Sequence, residues 1–228
     1  MVKNNIERLT IIAKGMAELN QKIVFVGGAV VQLYASDNSH MESRATEDVD
    51  CIIRYQSHLE KISFEKALRK HHFYEDTNDG VICRWMHNGE KVDIMPTDEK
   101  YLSFTNKWYD YGYENRITYT LPEGNTIFIL PVTAFIATKF EALHSRGGND
   151  LRCAHDFEDI IFVLNNCSEF DEFCNKEPNE ELKSYIKEQS IWLLSRPFIE
   201  EEIECVLPYG EEDRSSYILK ILTSIKGQ

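Results

Sequence analysis

Val26-Gly27-Gly28, Thr46-Glu47-Asp48-Val49-Asp50 and Val92-Asp93-Ile94 are the stretches whose joint reading decides the fold. Ile23-Val24-Phe25-Val26 is a short apolar run that predicts a buried strand, and the glycine pair follows it directly. Glycines there let backbone N–H groups come close to a phosphate. In Asp48-Val49-Asp50-Cys51 alternation sends Val49 and Cys51 to the core, so both aspartates face outward on one side. Two carboxylates side by side repel unless a cation or a proton intervenes. Hard oxygen ligands suit Mg2+ or Mn2+, and Asp93 on a further strand can complete the cage. Each signal alone is weak, because Asp-x-Asp is common at solvated strand ends and most glycine pairs are turns. Their order is what carries weight: strand, Gly-Gly, helix, Asp-x-Asp strand, helix, hairpin strand with Asp.

Working outward, residues 5–20 have helical spacing, with Ile6, Leu9, Ile12, Ala13, Met16 and Leu19 on one face. Gly27-Gly28 opens a helix through Tyr34, and residues 36–45 read as a polar loop. Leu59 to His71 predicts a helix with Leu59, Ile62, Phe64, Ala67 and Leu68 as its apolar positions. Asn88-Gly89 is a two-residue turn signal between Val81–His87 and Glu90–Met95. It fixes a register in which Trp85 opposes Val92 and Arg84 opposes Asp93. Cys83, Trp85, Val92 and Ile94 then form the core face, and Arg84 stands beside Asp93 on the other. That cation is either a structural ion pair or a phosphate contact. Strands near 116–121 and 126–130 follow, and Pro131 begins a helix. Further helices are expected near 154–166, 179–195 and 214–226. The class changes at Pro131: residues 1–130 form a mixed α/β core and residues 131–228 a helical region closing one side of the cleft.

The 228 residues are 43% hydrophobic, with a formal net charge of −13 and a pI near 5.0. This argues against a broadly basic nucleic-acid surface but leaves room for a local basic patch. No apolar run is long enough to span a bilayer, and the N-terminus lacks the features of a secretion signal. The six cysteines contain no Cys-x-x-Cys pair, so reduced thiols in a cytoplasmic protein are expected. Cys153 is expected to be a buried thiol. Trp108 to Tyr113 is an aromatic cluster that could stack a base or an acceptor, though such clusters more often cover the edge of a core.

In the helical half, Lys139 and Arg146 lie seven residues apart and share a helix face opposite Val132, Phe135, Ile136 and Leu143. They could hold triphosphate oxygens. On the next helix Phe157, Ile160, Ile161 and Leu164 form the apolar stripe, flanked by Asp156 and Asp159. Solvated cations, with Asp156 capping or pairing with Arg146 or Arg152, are the plainer alternative.

The ordered set Val26-Gly27-Gly28, Asp48-Val49-Asp50 and Val92-Asp93-Ile94 resembles the nucleotidyltransferase superfamily that shares the DNA polymerase β fold. The interval from Gly28 to Asp48 is longer than in its minimal members. Lys139, Arg146-Gly147, Asp150 and His155-Asp156-Phe157-Glu158-Asp159-Ile160 resemble the signature of bacterial AbiEii/AbiGii-type nucleotidyltransferases, a group that includes toxins of toxin–antitoxin and phage-defence systems. The likeness covers roughly residues 20–165 by motif order. It implies an α+β fold: a mixed twisted sheet with flanking helices, followed by helices. It implies an NTP co-substrate held through Mg2+ or Mn2+ by Asp48, Asp50 and Asp93, with Gly27, Gly28, Lys139, Arg146 and Arg84 at the phosphates. It also implies a supporting aspartate on the second helix, Asp159 in preference to Asp156. Nucleotide transfer to a tRNA, other RNA or protein acceptor follows from it, as does a cognate antitoxin partner. The alternatives are transfer to an aminoglycoside-type small molecule and a non-catalytic nucleotide- or partner-binding module.

Overall fold

One mixed seven-stranded sheet organises the first half of the chain. The computed structural model describes residues 3–36, 43–76, 80–102 and 105–227. The chain divides into two compact units, residues 1–30 with 44–131, and residues 31–43 with 132–228.

In the first unit, helix α1 (Asn5–Met16) starts from Asn4, whose side chain accepts the Glu7 N–H while the Glu7 carboxylate accepts the Asn4 N–H. It buries Leu9, Ile12, Ala13 and Met16, and continues as a 3-10 stretch over Ala17–Lys22 rather than as α-helix to residue 20. Then come β1 (Ile23–Val26), β2 (Asp48–Ile53), α2 (His58–Lys70), β3 (Tyr74–Glu75), β4 (Arg84–His87), β5 (Glu90–Pro96), α3 (Tyr109–Glu114), β6 (Ile117–Thr120) and β7 (Thr126–Ile129). The strands lie in the order β3-β4-β5-β2-β1-β7-β6. β2 runs antiparallel to β1 and parallel to β5. Asn88 and Gly89 both have positive φ, 50° and 82°, and the hairpin register is the one that turn dictates: His87↔Glu90, Met86↔Lys91, Trp85↔Val92, Arg84↔Asp93.

The helix expected from Gly27-Gly28 through Tyr34 is present, as a 3-10 helix over Gly28–Tyr34. Glycine followed by the β-branched pair Val30-Val31 is a poor α-helix start. Helix α2 buries only Phe64 and Leu68 of its expected stripe, while Leu59 and Ile62 are 75% and 45% exposed. A surface helix needs only a narrow stripe to dock, and these two lie outside it. Strand β3 was not anticipated, because two residues display no alternation. Residues 37–42 of the expected polar loop lie outside the described residues.

The second unit contains α4 (Val132–Arg146), α5 (His155–Asn166), α6 (Phe170–Lys176), α7 (Glu180–Leu194), α8 (Ile199–Val206) and α9 (Arg214–Gly227). Helix α5 buries Phe157, Ile160, Ile161 and Leu164. Helix α4 is buried around its whole circumference from Val132 to Phe140, and Lys139 does not lie opposite the apolar stripe as expected: four residues from both Phe135 and Leu143, it shares their face, with its Nζ 5.7 Å from the Phe135 ring centroid. Residues 31–36 pack with these helices: Tyr34 lies on Phe135 with ring centroids 4.6 Å apart, and the Ser36 N–H donates to the Asn166 carbonyl at 2.9 Å. Among the described residues no helix is long and apolar enough to cross a membrane. The acid load is uneven. The first unit has 15 Lys and Arg against 17 Asp and Glu, and the second has 10 against 21.

Candidate active site

Pairing of β4, β5, β2 and β1 sets Arg84, Asp93, Asp50 and Val26 in one row across four strands. Register neighbours share a face, so the carboxylates of Asp50 and Asp93 stand on the same side of the sheet. Asp48, two residues earlier on β2, shares that side. Val49 between them and Cys51 after them are fully buried. Asp48 and Asp50 are half-buried, whereas Asp93 retains only 8% exposure.

Arg84 ties this row together. Its Nε donates to Asp93 Oδ1 and its Nη2 to Asp93 Oδ2, both at 2.8 Å, a two-pronged pair. The same Nη2 donates to Asp48 Oδ2 at 2.9 Å. One nitrogen thus bridges oxygens of two carboxylates. Beneath the row, burial pushes the Cys83 thiol up to about 11, and the nearby Asp93 charge adds to it, so Cys83 stays neutral.

The glycine pair abuts the row. Gly27 has φ +74°, a conformation L side chains rarely adopt, and a Cβ there would run into the Asp50 carboxylate. A Cβ on Gly28 would meet Arg44 Nη2 at 2.6 Å and the Thr46 methyl at 2.7 Å. The two glycines therefore admit an anion on one side and a guanidinium on the other. The approach to β2 is fixed by buried Asn5. Its Nδ2 donates to the Arg44 carbonyl at 2.9 Å, and its Oδ1 accepts the Thr46 N–H at 3.0 Å and hydroxyl at 3.1 Å. Neither Arg44 nor Asn5 was a candidate from sequence. Asn at the start of a helix reads as a cap, and Arg44 closes a segment that shows no periodicity.

The donor set fits a divalent cation in kind: three aspartates, offering hard oxygens from neighbouring strands. Among the described residues, no three His, Cys, Asp or Glu side chains are gathered as metal ligands as they stand. Arg84 holds Asp48 and Asp93 with the charge a metal would otherwise supply.

Lys139, Arg146, Asp156 and Asp159 converge within the helical unit. Lys139 Nζ, on α4, donates to Asp159 Oδ2 at 2.6 Å and Asp156 Oδ1 at 3.2 Å, both on α5. Arg146 Nε and Nη2 donate to the Asp156 oxygens at 2.8 and 3.1 Å. Lys139, Asp156 and Asp159 are buried, while the Arg146 side chain is 71% exposed. Burial pushes the Asp156 carboxyl up, but Arg146 and Lys139 outweigh it and hold it below the usual carboxylate range. Arg152 pairs instead with Asp150 and with Glu201 at 3.2 Å.

Trp108 retains only 3% exposure and precedes α3, so this ring of the aromatic cluster covers the core edge. Cys153 corrects its expectation: it is exposed, because the 3-10 turn Leu151–Cys153 turns Leu151 inward in its place.

No family model and no curated protein matches this sequence. Among solved structures, the fold is similar to that of an antigenic nucleotidyltransferase-like protein from Paracoccidioides brasiliensis, at 17% identity and a TM-score of 0.52, over 87% of this chain and 92% of that one. The chain therefore has a nucleotidyltransferase-like α+β fold.

Proposed function

We propose that this chain moves a nucleoside monophosphate from an NTP to an acceptor hydroxyl, releasing pyrophosphate, at the carboxylate row of its first unit. The observation that carries this reading is the strand register: it sets Asp50 beside Asp93, with Asp48 on the same side, at the mouth of Gly27-Gly28. A likeness in fold to a nucleotidyltransferase-like protein supports it.

Asp48, Asp50 and Asp93 would hold Mg2+ or Mn2+, which supplies charge for the triphosphate and acidity for the acceptor hydroxyl. Asp93 accepts that hydroxyl's proton. The acceptor oxygen bonds to the α-phosphorus as the bond to the β-phosphate oxygen breaks, and pyrophosphate leaves. Backbone amides at Gly27 and Gly28 balance charge on the phosphates. Lys139 and Arg146 belong to the proposal as the cationic pair of the second unit, and Asp159 as the carboxylate that orients Lys139.

For the acceptor, an RNA (tRNA) or a protein is favoured over a cationic small molecule. The near-balance of charge in the first unit supports this choice, since it removes most of the repulsion a net −13 suggests. The toxin of a toxin–antitoxin or phage-defence pair, acting in the cytoplasm and checked by a cognate antitoxin, is the role in line with the AbiEii/AbiGii resemblance. A second reading, a non-catalytic binding module, is favoured by the Arg84 pairs that occupy Asp48 and Asp93.

The test is incubation of the protein with each α-labelled NTP, magnesium and a cell extract, beside Asp48→Ala/Asp50→Ala. Label in an RNA, protein or small-molecule fraction that disappears with the variant supports transfer and identifies the acceptor class. Magnesium-dependent NTP binding without transfer supports the binding module.

A further inference from the structure

We infer that Arg84 is the resident counter-cation of the carboxylate row, and that it leaves Asp48 and Asp93 for triphosphate oxygens when nucleotide and divalent cation enter together. This rests on the metal reading of Asp48, Asp50 and Asp93 given above.

Arg84 Nη2 lies 2.9 Å from Asp48 Oδ2 and 2.8 Å from Asp93 Oδ2, so a single donor spans the two carboxylates. Its side chain is 12% exposed, that of Asp93 11% and that of Asp48 34%. The pair with Asp93 is therefore shielded, and its Asp48 end opens to solvent. Paired carboxylates repel one another unless a cation or a proton intervenes, and here the Arg84 guanidinium lies between them. A divalent cation arriving alone competes with the guanidinium for Asp48 Oδ2 and both Asp93 oxygens, and meets its positive charge. A cation arriving with a triphosphate brings the guanidinium a replacement partner, because a planar guanidinium matches phosphate oxygens as well as carboxylate oxygens. Strand β4 holds the Arg84 backbone opposite Asp93 throughout, so the exchange needs only side-chain rotation. Ion and nucleotide then bind with positive coupling: each makes the other's entry easier. Arg84 acts here as a positioning residue, which suppresses occupation of the row by a metal ion without its nucleotide.

The experiment measures Mn2+ binding by electron paramagnetic resonance to wild type, Arg84→Gln, Arg84→Lys and Asp48→Ala/Asp50→Ala. Each is measured with and without α,β-methylene analogues of the four NTPs, with circular dichroism to check folding. In wild type, one analogue should tighten Mn2+ binding about tenfold or more. In Arg84→Gln, Mn2+ alone should bind about tenfold more tightly than in wild type, and the analogue should add little. Arg84→Lys keeps the charge but, with a single nitrogen, cannot make the two-pronged pair with Asp93, and should lie between the two. It decides the matter if Arg84→Gln does not fold. Equal Mn2+ affinity in wild type and both Arg84 variants, abolished in the double aspartate variant, would overturn the role of Arg84 and leave the metal site standing. No Mn2+ binding by any folded protein, with or without an analogue, would overturn the metal reading and this inference together.

Discussion

Asp50 is the residue at which backbone register, glycine conformation and charge meet. It neighbours Asp93 on one side and Val26 on the other, and its carboxylate fills the space that Gly27 leaves. Asp50→Asn should fold normally, since the residue is half-buried and the change is isosteric, yet lower nucleotide transfer at least about a hundredfold. Steady-state rates beside a thermal melt check this. Gly27→Ala should both destabilise, by at least about 1–2 kcal/mol from left-handed backbone strain, and lower transfer, because the new methyl collides with Asp50. A melt that does not move would contradict the close approach. Much at this scale is legible in the sequence. Alternation places Asp48 and Asp50 on one side, and Asn88-Gly89 sets Arg84 against Asp93. The reach of Arg84 to Asp48 is not legible, because it is a diagonal contact across two strand pairs made by a long side chain. Arg44 at Gly28 is hidden for a similar reason, as its position depends on hydrogen bonds from Asn5 far away in sequence.

At the scale of elements, α4 and α5 are joined by buried charge as well as apolar packing. Lys139→Met takes from buried Asp159 the cation shown beside it and leaves Asp156 with Arg146, and should cost about 3–5 kcal/mol in a urea melt. Lys139→Met/Asp159→Asn should recover part of that loss, which a purely apolar role for Lys139 would not produce. Asp156 predicts a pH dependence. Its folded-state pKa is depressed, so its contribution is fully present above the unfolded value and fades as pH falls through the folded value. The stability gap between wild type and Asp156→Asn should therefore hold from neutrality down to about pH 4 and narrow below it. Urea melts of both proteins across that range decide it. Helices α4, α5, α7 and α9 are long enough to show their period in the sequence. Helices α3, α6 and α8, of six to eight residues, are too short for a repeat to declare itself. In α8 the run Glu200-Glu201-Glu202 masks an apolar side formed by Ile199 and Ile203.

For the whole molecule, the uneven distribution of charge matters more than its total. The second unit has 21 acidic against 10 basic residues, so most of the self-repulsion of a −13 chain resides there. Raising ionic strength from about 10 to about 150 mM should raise the melting temperature, because screening reaches the exposed acids of α7 and α8 before the buried pairs of Lys139. A fall on adding salt would mean that exposed ion pairs outweigh the repulsion. Composition along the chain cannot reveal that residues 31–43 go with the helical unit, since that follows from packing such as Tyr34 on Phe135.

Which phosphate bond breaks is the most direct test of the central claim. The protein, magnesium and extract would be given the same NTP in parallel, labelled either at the α- or at the γ-phosphate. Nucleotidyl transfer predicts α-label in the acceptor and γ-label released as pyrophosphate in equal amount, with both lost in Asp48→Ala/Asp50→Ala. γ-Label in the acceptor, or neither label there despite tight NTP binding, would contradict it.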